Sequence, residues 1–232
     1  MSRQGLFSAS SVHKLMKKGR TKSQPFGEAA LTYIREKRAE KKFGRELSKE
    51  TFAEALAWGN FLEPYVLEKK GLEKGQRLYD AQLPLTGEPD YAVATPTCVT
   101  IGDVKCPYTL ESAALLFEIE TGEQLKAIKP EYYWQLICNA ALTLENVDGW
   151  PAMYGQLVVY VPRFATLPEI CDREPPEIPG NYRFIQSHEY GKMPWIDDFA
   201  SVTTPHVIEF EVQHEDIEYL NDRVKQAAEL LY

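Results

Sequence analysis

The sequence lacks any apolar run approaching the roughly 18 residues that are needed to span a bilayer. Its first ten residues also lack a basic flank followed by a long apolar stretch, so no secretion signal is predicted. Only four cysteines and four histidines occur in 232 residues, with no C-x-x-C pair and no metal-binding histidine spacing. These absences argue against a membrane anchor, a disulfide framework and a zinc knuckle, and they predict a cytoplasmic protein.

The composition is that of an ordinary globular domain, with 44% hydrophobic and 26% charged residues. A chain of this length can bury one continuous core, so we expect a single domain over residues 1–232. Within it we distinguish a helical part (1–72), a core (73–162), a proline-rich excursion (163–205), and a closing strand and helix (206–232). The excursion is predicted because six of the fifteen prolines lie in it.

Hydrophobic periodicity predicts the elements inside these parts. Apolar residues at three- and four-residue steps predict helices, and short β-branched runs between turn residues predict strands. The predicted helices cover residues 25–43, 48–70, 110–120, 131–144 and 215–231, after a short serine-capped helix near the start. The predicted strands cover residues 78–85, 91–94, 98–104, 154–161 and 207–212, with the first three in a meander. This order predicts a mixed α/β fold, with a small mixed sheet flanked by helices.

The net charge of −8 is unevenly distributed along the chain. The segment from Lys14 to Arg45, here called the basic segment, has eleven Lys or Arg against three Glu, hence +8, which leaves −16 for the rest. An acidic body with one basic segment suits local contact with a polyanion such as DNA, although a solvated helix face explains the same charges. The candidate contacts to the DNA backbone are Arg20, Lys22, Arg35 and Lys42.

A cluster of charged residues is expected where two predicted strands meet. Asp90 precedes one strand, within Gly-Glu-Pro-Asp, and Asp103 and Lys105 lie at the end of the next. Because side chains alternate along a strand, Asp103 and Lys105 share a face and Val104 points into the core. Neighbouring strands would bring Asp90 to the same place.

These residue types suit the hydrolysis of a phosphodiester. Asp90 and Asp103 offer a hard, oxygen-rich site for Mg²⁺, with Mn²⁺ as a substitute, and Glu63 from the preceding helix can add a third carboxylate. Two such ions would activate a water and stabilise the departing oxygen. Lys105 would orient or help deprotonate that water, and would stabilise charge in the transition state.

Four short motifs carry a resemblance to known nucleases. Pro89-Asp90 followed after thirteen residues by Asp103-Val104-Lys105 resembles the PD-(D/E)XK nuclease superfamily. The run from Gly59 to Glu63 is similar to the G-x-x-x-E helix of lambda-type phage exonucleases. The run from Asp103 to Pro107 resembles their E-x-K-C-P strand end, and that from Tyr132 to Gln135 their Y-x-x-Q helix. The motifs occur in the order of the lambda-type and YqaJ-like viral recombinase family.

This resemblance implies a restriction-endonuclease-like core with a small mixed sheet, which makes residues 1–232 a single nuclease domain. It further implies a Mg²⁺-dependent 5′-to-3′ exonuclease that degrades double-stranded DNA ends during phage-type recombination. The family also implies a homotrimer, a single-strand annealing protein as partner, and a phage or prophage origin in a bacterial host.

By position, the resemblance assigns two metal ions to Asp90, Asp103, the Val104 carbonyl and Glu63. It assigns the attacking water to Lys105 and Gln135, and a looser match at the serine-rich start offers Ser8 and Ser10 to a 5′ phosphate. Asp103 departs from the usual Glu by one methylene, and residues 163–205 have no counterpart in the family.

Simpler interpretations stand beside these assignments. Glu63 can be an exposed helix residue, Gln135 a core glutamine bonded to the backbone, and the serines ordinary helix caps. The same core also suits a structure-selective or restriction-type endonuclease. A non-catalytic module that binds DNA ends, or a metalloenzyme that acts on small phosphoesters, would be compatible with these residues as well.

Overall fold

The computed structural model describes residues 4–21, 23–47, 53–144 and 151–232. Its helices are α1 (Glu28–Phe43), α2 (Glu54–Lys70), α3 (Leu110–Phe117), α4 (Gly122–Ile128), α5 (Pro130–Leu144), α6 (Leu167–Cys171), α7 (Arg183–Gln186) and α8 (His214–Glu229). A 3₁₀ helix at Ala9–Lys14 precedes them. Its strands are β1 (Phe7–Ser8), β2 (Leu78–Tyr79), β3 (Leu85–Gly87), β4 (Tyr91–Ala94), β5 (Cys98–Lys105), β6 (Ala152–Val159) and β7 (His206–Glu211).

The strands form two small sheets. The larger has the order β4-β5-β6-β7, in which β5 and β6 are parallel and the outer pairs are antiparallel. The smaller has the order β1-β3-β2, with β1 parallel to β3. The fold is therefore mixed α/β, with small mixed sheets flanked by helices, as the sequence predicts.

The larger sheet separates two hydrophobic clusters. Ile101 and Leu157 join the cluster that contains α5, α8 and the 3₁₀ helix. Val104 and Val158 join the other cluster, which contains α2 and apolar residues of the 163–205 excursion. Alternate residues of β5 thus face opposite helices, as the period of a strand requires. The face that carries Asp103 and Lys105 is the one that α5 covers.

A glycine fixes the pairing of β4 with β5. Tyr91 and Gly102 are partners across the two strands, and a Cβ on Gly102 would lie within 2.4 Å of the Tyr91 ring. The ring occupies the space that a side chain would take, so strand β5 needs glycine one residue before Asp103.

The structure corrects several predictions. The predicted strand over 78–85 is two strands, because the Asp80 carboxylate accepts hydrogen bonds from two backbone amides just after β2 and turns the chain. The three-strand meander is therefore wrong. The serine cap is also wrong: Ser8 lies at the start of the 3₁₀ helix, but its hydroxyl makes no capping hydrogen bond.

Two helical regions are additional to the sequence prediction. Helix α4 begins at a capping box in which Thr121 and Gln124 satisfy each other's backbone amides, a signature present in the sequence. The excursion, predicted as irregular, contains the short helices α6 and α7, which are below the length that periodicity resolves. Within the described ranges, no helix is long and apolar enough to cross a bilayer.

Candidate active site

Strand β5 carries an acid and an amine into the space beneath α5. Asp103 is fully buried, and its Oδ2 lies 2.5 Å from Nζ of Lys105, whose side chain is about a quarter exposed. The lysine nitrogen also lies 5.1 Å from the ring centre of Tyr132 on α5. A carboxylate and an ammonium group are thus held together on one face of one strand, as predicted.

Asp90 joins this pair from the neighbouring strand. Its backbone amide donates to the carbonyl of Gly102 at 3.0 Å, which continues the β4–β5 ladder by one residue. Its Oδ2 accepts a 2.6 Å hydrogen bond from the backbone amide of Val104. The Val104 side chain points into the other cluster, as predicted. The predicted convergence of Asp90, Asp103 and Lys105 is therefore present in the structure.

Burial and neighbouring charges together shift the pKa values of the cluster. Burial, followed by the negative charges of Asp103 and Glu63, raises the pKa of Asp90 to about 8, although Lys105 and the Val104 amide oppose the rise. Burial alone would lower the pKa of Lys105, but the charges of Asp103 and Asp90 outweigh it and raise the pKa overall. In the metal-free protein these shifts favour the cationic form of Lys105, and they favour the protonated form of Asp90 to a pH well above the usual range of an aspartate.

Gln135 reaches the cluster from α5. Its Nε2 donates a 2.6 Å hydrogen bond to Oδ1 of Asp103. A core glutamine bonded to the backbone does not describe this contact, because the partner is the buried carboxylate itself. Asp103 is thus held on both oxygens, by the glutamine on one and the lysine on the other.

Glu63 lies at the margin of the cluster. Its side chain on α2 is about one-quarter exposed, and its Oε1 is 3.5 Å from Nζ of Lys74. The carboxylate is close enough to raise the pKa of Asp90, so it belongs to the same electrostatic neighbourhood. The simpler interpretation of a fully exposed helix residue does not describe it.

The side chains of the cluster are of the chemical type that binds a divalent cation. Asp90 and Asp103 supply buried carboxylate oxygens, and burial followed by the charges of Asp103 and Glu63 raises the pKa of Asp90, a shift that a bound cation would oppose. In the described part of the chain, however, no three His, Cys, Asp or Glu side chains converge as a metal site. Burial and then the charge of Glu63 raise the pKa of the Cys106 thiol, next to Lys105.

A cavity of about 90 Å³ adjoins the cluster through Gln135. Ser8 and Ser10 line it, with their hydroxyl oxygens 3.2 Å apart. Arg77 and Glu88 line it as well and form an ion pair with each other. The sequence singles out neither of these two, although Glu88 stands in the Gly-Glu-Pro-Asp turn that signals Asp90.

The candidate DNA contacts of the basic segment lie on the surface. Arg20, Arg35 and Lys42 are exposed, and Arg35 lies 3.4 Å from the exposed Glu28. Lys22 lies outside the described residues. Exposure suits contact with a backbone phosphate, but it also suits a solvated surface, so these residues stay a prediction.

Comparison with known proteins identifies the family. Residues 1–145 match the family described as the YqaJ-like viral recombinase domain. No curated protein sequence matches the chain.

Solved structures match over nearly the whole chain. One is a phage-related exonuclease from Haemophilus somnus 129PT, at 18% identity and a TM-score of 0.61, with 97% of this chain and 93% of that one covered. Another is an alkaline exonuclease (LHK-Exo) from Laribacter hongkongensis, at 17% identity and a TM-score of 0.59, with 98% and 89% covered. LHK-Exo in complex with dAMP matches similarly, at 18% identity and a TM-score of 0.58, with 98% and 89% covered.

At these identities the structural matches establish the fold, which is that of phage-type exonucleases. The family match covers the helical part of the chain, β4, β5 and all of α5. It therefore includes every residue of the acidic cluster, by which we mean Glu63, Asp90, Asp103, Lys105 and Gln135. The chain belongs to the YqaJ-like viral recombinase family.

Proposed function

We propose that this chain is a metal-dependent exonuclease that degrades double-stranded DNA from 5′ ends in phage-type homologous recombination. The observation that carries the proposal is the contact between Asp103, Lys105 and Gln135, with Asp90 bonded to the same strand. The exonuclease fold of the neighbours and a neighbour's complex with dAMP, a deoxynucleotide, support the same activity.

Asp90, Asp103 and the Val104 carbonyl would hold Mg²⁺ or Mn²⁺, and Glu63 would complete a second site after leaving Lys74. When bound, the ions would neutralise the scissile phosphate and lower the pKa of a water. Holding a cation fits Asp90, because a nearby positive charge favours the ionised form of its carboxyl group over the protonated form.

Lys105 would donate hydrogen bonds to the attacking water and to the charged phosphoryl oxygens. In the metal-free protein burial lowers the pKa of Lys105, but the charges of Asp103 and Asp90 outweigh it, which suits a donor with a positive charge; cations on those carboxylates would favour the alternative role, help in deprotonating the water. Gln135 would orient Asp103, since its amide fixes one carboxylate oxygen and leaves the direction of the other to Lys105. Ser8 and Ser10, with Arg20, Lys22, Arg35 and Lys42, would contact the DNA backbone.

The activity is tested on linear and closed circular duplexes of the same sequence, with Mg²⁺ and with a chelator. We expect hydrolysis of the linear duplex only, loss of hydrolysis in the chelator, and release of label from 5′ ends before 3′ ends. Lys105→Ala should lower turnover by about 10²–10⁴-fold while the protein still binds DNA. Cleavage of the circle would instead support an endonuclease, and DNA binding without any turnover would support a non-catalytic module.

Assembly and partners belong to the same proposal. A homotrimer that encloses the duplex, and a single-strand annealing protein that receives the exposed strand, would follow from a recombination role. Sedimentation of the purified chain tests the first. A monomer at working concentration that still degrades long duplexes processively would contradict it.

A further inference from the structure

The connector between α2 and β2 places a lysine beside the acidic cluster. Nζ of Lys74 lies 3.5 Å from Oε1 of Glu63, the carboxylate that α2 contributes to the cluster. The side chain of Lys74 is 55% exposed, whereas that of Glu63 is 23% exposed. The lysine therefore approaches the carboxylate from the solvent side.

The connector is fixed on both sides of Lys74. Before it, Leu72 packs against the hydrophobic cluster that contains α2. After it, the amide of Gly75 donates a 2.8 Å hydrogen bond to the carbonyl of Asp90. A Cβ on Gly75 would lie 2.2 Å from the carbonyl oxygen of Pro89, so this close approach requires glycine. The lysine is thus held between the end of α2 and the start of β4, next to two of the proposed metal ligands.

We propose that Lys74 regulates the second cation site, because it holds Glu63 as a counterion in the metal-free protein and must be displaced before that carboxylate can bind a cation. Lys74 thereby lowers the affinity of the second site. This inference rests on the proposed metal-dependent function. It gives a residue outside the acidic cluster control over the cation concentration that the enzyme requires.

The arrangement of the carboxylates supports this competition. Glu63 is close enough to contribute, after burial and Asp103, to the raised pKa of Asp90. Among the residues that the structure describes, no three His, Cys, Asp or Glu side chains nevertheless converge as a metal site. The third carboxylate of the cluster is engaged with a lysine instead.

The chemistry of the two cations explains why one can replace the other. An ammonium group and a divalent cation bind the same carboxylate oxygens, but the ammonium carries one positive charge and the metal ion carries two. An ion pair at the exposure of Lys74 changes an equilibrium constant by only about two- to fivefold. The lysine can move into solvent at little cost, since its side chain is already more than half exposed.

The experiment measures Mn²⁺ binding to the purified protein by calorimetry, without DNA, so that the readout does not depend on hydrolysis. The variants are Lys74→Gln, Glu63→Gln and the double variant that combines them. Lys69→Gln is the matched control, because Lys69 is 54% exposed and forms another surface ion pair, with Glu169 at 2.8 Å.

We expect Lys74→Gln to bind the second Mn²⁺ about two- to fivefold more tightly than the wild type, and Lys69→Gln to bind it equally. The double variant separates competition from general repulsion between cations. Glu63→Gln retains the first Mn²⁺ site, and in this background competition for Glu63 predicts that Lys74→Gln has no effect. General repulsion predicts the same gain in affinity as before.

Equal or weaker Mn²⁺ binding by Lys74→Gln would overturn this inference and leave the proposed nuclease intact. A gain that persists in the Glu63→Gln background would overturn it as well, since Lys74 would then act without Glu63. Absence of any Mn²⁺ binding by the wild type would overturn the metal-dependent function itself.

Discussion

Two charged regions of this molecule are organised in opposite ways. In the acidic cluster, Asp103 is fully buried, and contacts of 2.5 to 2.6 Å join it to Lys105 and Gln135 and join Asp90 to its strand. In the basic segment, Arg20 and Lys42 are exposed to solvent. Water and salt replace an exposed partner at little cost, whereas a buried charge that loses its partner stays desolvated. Single residues should therefore matter in the cluster, whereas the exposed Arg20, Arg35 and Lys42 of the segment should act by their number.

The largest effect is expected from Asp90→Asn, which separates the function of the cluster from its stability. The amide can still accept the hydrogen bond from Val104, but it cannot supply negative charge to a cation. We expect turnover on linear DNA to fall by about 10²–10⁴-fold. In the metal-free protein, the same variant should be more stable than wild type at pH 8 by up to about 5 kcal/mol, since raising the pKa from 3.8 to about 8 corresponds to about 1.4 kcal/mol per pH unit.

The sign of the stability effect follows from the pKa. Asp90 titrates near 3.8 when unfolded and near 8 when folded, so the folded state holds the extra proton between these values. Wild-type stability should therefore fall as pH rises from about 4 to about 8, and the advantage of the variant should vanish near pH 4. Thermal melting over this range measures it, with the exposed Asp222→Asn as control. Equal melting of wild type and Asp90→Asn at pH 8 would contradict the assignment.

Magnesium adds a second readout to the same comparison. A cation that binds the folded cluster should raise the melting temperature of the wild type as its concentration increases. Asp90→Asn should show a smaller rise or none. If Mg²⁺ raised both equally, the cation would bind elsewhere on the protein.

A smaller effect is expected from Gln135→Ala, which removes a residue that holds Asp103. Loss of its 2.6 Å hydrogen bond leaves the carboxylate free to turn toward Lys105 alone. By analogy with other residues that orient metal ligands, we expect turnover or cation affinity to fall by about 10–100-fold. The measurement is turnover against Mg²⁺ concentration, and a positioning role predicts a shift in the cation requirement.

The control for this variant is Gln124→Ala on α4. Gln124 completes a capping box at the start of that helix, so its loss should lower stability by about 1 kcal/mol. It should leave the cation requirement of the enzyme unchanged. If Gln135→Ala lost stability in the same way and kept the wild-type cation requirement, Gln135 would be a structural residue only.

How much of the site the sequence can predict depends on whether a contact follows from a local rule or from long-range packing. Strand alternation is a local rule, so it predicts that Asp103 and Lys105 share a face, and adjacent strand ends predict the place of Asp90. Gln135 reaches Asp103 only through the packing of α5 on β5, which no local rule contains; the order of motifs supplies it. The correction at Ser8 has the same origin, since its hydroxyl lies against that of Tyr33 from a distant helix. The correction at Asp80 differs, because its partners are amides two and three residues further on, a local turn signal that the periodicity analysis missed.

The cavity beside Gln135 marks the limit of sequence reasoning. It joins residues from β1, the 3₁₀ helix, β3 and α5, which are far apart along the chain. Arg77 carries no motif, and Glu88 stands in a turn whose pattern points to Asp90 alone. Their pairing depends on the folded arrangement of β2 and β3 and is visible only there.

The smallest effects are expected in the basic segment, where they should add up. Replacing Arg20, Arg35 and Lys42 together by Gln should weaken DNA binding and reduce the slope of log affinity against log salt by up to about 2.7, or about 0.9 for each phosphate that is no longer neutralised. Each single variant should change binding less than the triple does, and turnover at saturating DNA should stay constant. The control replaces the exposed Lys69, Lys70 and Lys225 in the same way. If both triples reduce the slope equally, the basic segment is only a solvated surface, and the contrast with the acidic cluster concerns burial alone.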